Sequence, residues 1–166
     1  MVLAIALILG VGSCIGYVAD GLSNIRIGRE PLPPIAVPAA ACPHLRPVHD
    51  LAVLLNKQWA RALDGREPWP SFRPDLSSEL ATLETALSRA ESHVPAPIAS
   101  KFEVVVLDVH LGRAELPREK SAMEVIKPAA NRRSPLIEGV NALADASDLV
   151  GNACGYRLAP SNVLIP

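Results

Sequence analysis

The sequence predicts an all-α fold: a single N-terminal transmembrane helix followed by an antiparallel four-helix bundle closed by a disulfide. Three observations carry that expectation. A charge-free apolar run opens the chain, four later segments space their apolar residues by three and four, and two cysteines flank those segments. The organisation expected is a membrane anchor over 1–19, a proline-rich linker over 20–41 and an extracytoplasmic helical domain over 42–166.

No side chain between Val2 and Val18 is charged. As a helix, residues 1–19 would reach about 28 Å, close to the hydrocarbon thickness of a bilayer. Tyr17 falls where an amphipathic ring suits the headgroup layer, and Asp20 ends the run. Arg26 and Arg29 follow it and argue weakly for a cytoplasmic domain; the cysteine argument below outweighs them. A retained signal anchor ranks first. Lipoprotein processing at Cys14 ranks second, because Val11-Gly12-Ser13-Cys14 resembles a bacterial lipobox but no basic residue precedes it. Ordinary signal cleavage or a buried segment ranks third. Ala6 and Gly10 lie four apart, as do Gly12 and Gly16, so small residues could let this helix pack closely on another in lipid. The plainer reading is an apolar helix that contains glycines. A phosphate-cradling turn at Gly10–Gly16 is the rival, but its third glycine comes one place late and no strand–helix alternation follows.

Pro31, Pro33, Pro34 and Pro38 fix φ and remove N–H donors, which predicts an extended strut. From Leu45 the apolar period becomes helical: Leu45, Val48, Leu51, Ala52, Leu55, Trp59, Ala62 and Leu63 share a stripe that Gly65 and Pro68 stop. A second helix is expected to start at Asp75, an N-cap after Pro74, and to run through Leu76, Leu80, Leu83 and Leu87 to Val94. The third segment, Ile98–Leu116, is rich in β-branched residues, yet Ile98, Phe102, Val105 and Val109 make a helical stripe and a helix is the better reading. A connection follows, with one short helix around Met123, Val125 and Ile126. The fourth helix opens with Ser134 as N-cap and Pro135 at its first position, and is expected to run to Cys154 with Gly155 as a left-handed stop.

In an up-down bundle the start of the first helix and the end of the fourth lie at the same end. Cys42 and Cys154 can therefore meet there. Their bridge would need an oxidising compartment, which places the domain outside the cytoplasm.

Chemistry is scarce in this sequence. No GxSxG, HExxH, CxxC or Walker loop occurs, so an enzyme is not expected, and neither is a cofactor. Cys42, His44, His49 and Cys154 suggest a metal site, but a disulfide consumes both thiols and the histidine spacing is poor; no metal is expected. With 4% aromatics and a net charge of -1, nucleic acid is not an expected partner. Trp69 lies between Pro68 and Pro70 with Phe72 close by. The pair either caps the bundle or forms an aromatic knob that contacts a partner.

Arginine outnumbers lysine twelve to four, and this usage joins the hydrophobic start, the proline strut and the cysteine-closed helices. The layout resembles small membrane-anchored or exported helical proteins of the actinobacterial, mycobacterial-like type. That resemblance has no diagnostic motif and transfers no functional residue. The function expected is a non-enzymatic accessory or scaffold subunit of a larger membrane protein complex, held in the lipid bilayer. The alternative is an extracytoplasmic carrier of a lipid or other small molecule, with Val and Ala around an unfilled centre.

Overall fold

Prolines open each of the four long helices. Pro43, Pro70, Pro97 and Pro135 occupy first-turn positions, where a fixed φ suits the helix and the missing N–H has no intrahelical acceptor. The computed structural model describes residues 32–126 and 134–160. In it α1 spans Cys42–Leu63, α2 Trp69–Glu91, α3 Ala96–Glu115, α4 Ala122–Ile126 and α5 Pro135–Val150. No strand occurs among the described residues. The short connections 64–68 and 92–95 set α1, α2 and α3 side by side, and α5 packs along α3. Direct packing between α1 and α5 is slight, and α4 leans on α1.

The apolar stripes become the core as expected. Leu45, Val48, Ala52, Leu55 and Trp59 of α1 are buried, and Ile98, Phe102, Val105 and Val109 point inward from α3. The valine-rich segment is a helix. Its β-branched residues lie on both faces, so tertiary burial rather than intrinsic propensity sets its conformation.

Three boundaries differ from expectation. The second helix starts at Trp69, six residues before Asp75, and runs through Pro74. Pro74 removes the bond to the carbonyl of Pro70, and both rings lie on the exposed side, while the extra turn buries Trp69 and Phe72. Pro43 and Pro47 repeat the same four-residue spacing at the start of α1. At its far end α2 stops at Glu91 rather than Val94. The last helix stops at Val150, where Gly151 takes φ +56°, so Cys154 sits in a turn beyond the helix.

The linker also differs. Residues 32–38 are extended, but they lie against the domain instead of standing off it: Ile35 N–H donates to the Leu149 carbonyl at 2.9 Å. The anchor and its candidate packing and lipidation residues, Ala6, Gly10, Gly12, Cys14 and Gly16, fall outside the described residues. No helix among the described residues is long and apolar enough to cross a membrane.

Where α3 meets α5, two glycines allow close approach. A Cβ on Gly112 would collide with Leu136 Cγ, and one on Gly139 would lie 3.2 Å from Asp108 Cβ and 3.3 Å from Val109 Cγ2. Lys101 to Asp145 (2.9 Å) then pins α3 to α5, and Arg113 to Glu84 (2.8 Å) pins it to α2.

Candidate functional site

At the end of the bundle where α1 begins, Cys42 and Cys154 form the expected disulfide, with Cα atoms 5.4 Å apart and a sequence separation of 112. Tyr156 O–H donates to the Cys42 carbonyl at 3.0 Å, and its ring takes His49 at 4.6 Å and the Arg46 guanidinium at 5.3 Å from its centre. Burial pushes the Tyr156 hydroxyl above its ordinary pKa; Arg46 opposes this and Asp50 adds to it. His49 Nδ1–H donates to the Arg157 carbonyl at 2.7 Å. One buried serine anchors the tail: Ser147 Oγ accepts from Ala159 N–H at 3.0 Å and donates to the Ala159 carbonyl at 3.3 Å.

His44 and His49, weighed as metal ligands in the sequence, take different partners. His44 stacks on His93, with centroids 3.4 Å apart and planes within 6°, while His49 turns to Tyr156. Among the described residues no three His, Cys, Asp or Glu side chains gather as metal ligands.

At the other end, the structure revises the aromatic knob. Trp69 is 9% exposed, Phe72 is fully buried, and Trp59 meets both edge-to-face at 6.3 and 5.8 Å. Trp69 Nε1–H donates to the Glu119 carbonyl at 2.8 Å. These rings are core, and the partner contact assigned to Trp69 and Phe72 has no exposed surface on Phe72. Pro74 had suggested a helix start there, which misplaced the turn by six residues.

Two other features take their place. The first is the outer face of α3, where Val104, Leu107 and Leu111, spaced three and four apart, are 46%, 59% and 46% exposed. Asp108 borders this ridge, and its pKa is raised by burial and then by repulsion from Glu138. The second is a partly open cleft in the middle of the bundle, about 550 Å³ with its mouth included, to which all five helices contribute. Its walls include Ala52, Trp59, Val105, Val125, Val140 and Leu143, and they expose no polar surface to it. Sequence reading followed the inward stripe of the third segment and missed the outer ridge, although Val104, Leu107 and Leu111 carried its signal. An unfilled centre was expected under the carrier alternative, but its walls depend on how loosely α1 and α5 meet.

No family model matches the chain, and no curated protein or solved structure is significantly similar to it.

Proposed function

We propose that this protein is a non-enzymatic accessory subunit of a membrane protein complex, anchored through residues 1–19 and presenting its helical bundle outside the cytoplasm. The outer ridge of α3 carries the reading. Soluble helices normally turn one face to water, whereas α3 turns apolar residues both inward and outward. The disulfide supports the extracytoplasmic side, since such bridges persist in oxidising compartments. The small residues of the anchor, Ala6, Gly10, Gly12 and Gly16, would add helix packing within the bilayer. The test is solubilisation in mild detergent followed by mass spectrometry of co-purifying proteins. A partner set that disappears with Leu107→Lys supports the reading, and a clean monomer at native abundance overturns it.

A second reading, a carrier of a lipid or other small apolar molecule, is favoured by one observation: the cleft enclosed by the five helices and walled only by apolar surface.

A further inference from the structure

Resting on the reading that the outer ridge of α3 meets a partner, we infer that this partner is a second copy of the chain, its α3 laid antiparallel across the first. The ridge is longer than its three large residues. Ser100, Val104, Leu107, Leu111 and Ala114 are all exposed, and their spacing of four, three, four and three is that of a coiled-coil seam. A face with that period suits another helix. The inner face, through Phe102, Val105 and Val109, already holds α3 in the fold, so pairing would order little new chain.

Charge selects the helix and its direction. Lys101 and Asp108, seven residues apart, flank the seam on the side of α5, where Lys101 reaches Asp145 at 2.9 Å and Asp108 is repelled by Glu138. Glu103 and His110, also seven apart, flank it on the side of α2, where His110 lies 3.8 Å from Glu84. Flanking residues of this kind set partner and orientation in paired helices. Let two copies run antiparallel, with Val104 opposite the partner's Leu107 and Ser100 opposite the partner's Leu111. Smaller residues then face larger ones, Lys101 comes beside the partner's Asp108, and Glu103 comes beside the partner's His110. The two-fold axis makes each contact twice. Lys101 has three donors, so its bond to Asp145 leaves others for the partner's carboxylate. The competing arrangements bring like charges together. A parallel pair sets Glu103 against the partner's Asp108, and an antiparallel register with Leu107 opposite the partner's Leu111 sets the two Asp108 side chains against each other.

The test is light scattering of the full chain purified in dodecyl maltoside, over a dilution series, with bound proteins identified by mass spectrometry. The expected protein mass is twice that of one chain. Leu107→Lys places a charge in the seam and should raise the dissociation constant by about tenfold or more. Asp108→Lys separates the two directions. In the antiparallel pair it faces the partner's Lys101 and should weaken pairing by about tenfold, whereas in a parallel pair it faces the partner's Glu103 and would strengthen it. A dimer that Leu107→Lys leaves intact, or that Asp108→Lys strengthens, overturns the proposal. A single chain that carries other proteins, and loses them with Leu107→Lys, overturns the pair and keeps the accessory reading. A dimer broken by Leu107→Lys with no other protein bound keeps the pair and overturns the accessory reading. A single chain with nothing bound overturns both.

Discussion

Tyr156 donates its hydroxyl to the backbone carbonyl of Cys42, 114 residues away in sequence and 3.0 Å away in space. The bond lies beside the disulfide, so the same junction is closed twice, once covalently and once by a half-buried polar contact. Ser147 and Ile35 tie the tail and the incoming segment to the last helix at Ala159 and Leu149. This double closure compensates for the slight direct packing of α1 on α5. The cleft lies among the same helices that meet so loosely.

The tyrosine gives a pH signature. Its folded pKa lies above the ordinary 10.0, so the folded state holds the phenolic proton more tightly than the unfolded chain does. Stability is then fully present below about pH 10 and falls as pH rises through the raised folded value. Tyr156→Phe should flatten that alkaline decline and cost about 1 kcal/mol near neutrality through the lost hydrogen bond. Urea denaturation at pH 7 and at pH 10.5 or so, on both chains, checks it.

Breaking the bridge should matter more. A loop closed by residues 112 apart contributes about 4–5 kcal/mol in the chain-entropy model. Cys42→Ser with Cys154→Ser should lower the denaturation midpoint by a corresponding amount while leaving helical circular dichroism at low temperature. Non-reducing peptide mapping of the native chain should recover the two cysteines in one linked fragment.

The disulfide and the core stripes were legible because both follow from period and topology. Leu45, Val48, Leu55 and Trp59 declare a buried face by spacing, and an up-down order brings residues 42 and 154 to one end. The start of α2 was not legible. Pro74 reads locally as a break, and only the burial of Trp69 and Phe72 against Trp59 explains why the helix begins earlier. The end of α5 was missed for a related reason: Gly151 and Gly155 both take positive φ, and sequence alone does not say which one stops the helix.

Gly112 sets the distance between α3 and α5. A methyl there collides with Leu136 Cγ and comes 3.0 Å from the Leu136 backbone nitrogen, which cannot swing away as a side-chain tip can. Gly112→Ala should therefore destabilise the fold by about 1–3 kcal/mol despite the better helix propensity of alanine. Gly139→Ala, whose nearest neighbour is 3.2 Å away, should cost less. Thermal denaturation of the two variants side by side reads the order.

Burial of the aromatic trio fixes what its variants do. Phe72→Ala should cost about 3–5 kcal/mol, as expected for an aromatic removed from a packed core. Leu107→Lys, on the exposed ridge, should leave stability within about 0.5 kcal/mol of native. If the ridge rather than the aromatic turn meets a partner, co-purification fails for Leu107→Lys while its denaturation curve stays native.

Asp108 borders that ridge at a cost to the isolated domain. Burial first and Glu138 second raise its pKa above 3.8, so the folded state takes up the proton more readily than the unfolded chain. By linkage, stability falls as pH rises through the window from 3.8 to the raised value, and the loss persists at neutral pH. Asp108→Asn removes the charge and should raise the midpoint of thermal unfolding at pH 7. The advantage should shrink towards zero below about pH 3.8, where the native carboxyl is neutral in both states. Glu138→Gln removes only the lesser cause and should give a smaller gain. A partner with a cation beside its apolar contact would reverse the balance, because Asp108 would then gain a counter-charge at the interface. Asp108→Asn should accordingly strengthen the free domain and weaken its retention of co-purifying proteins, and equal or stronger retention would exclude this carboxylate from the contact.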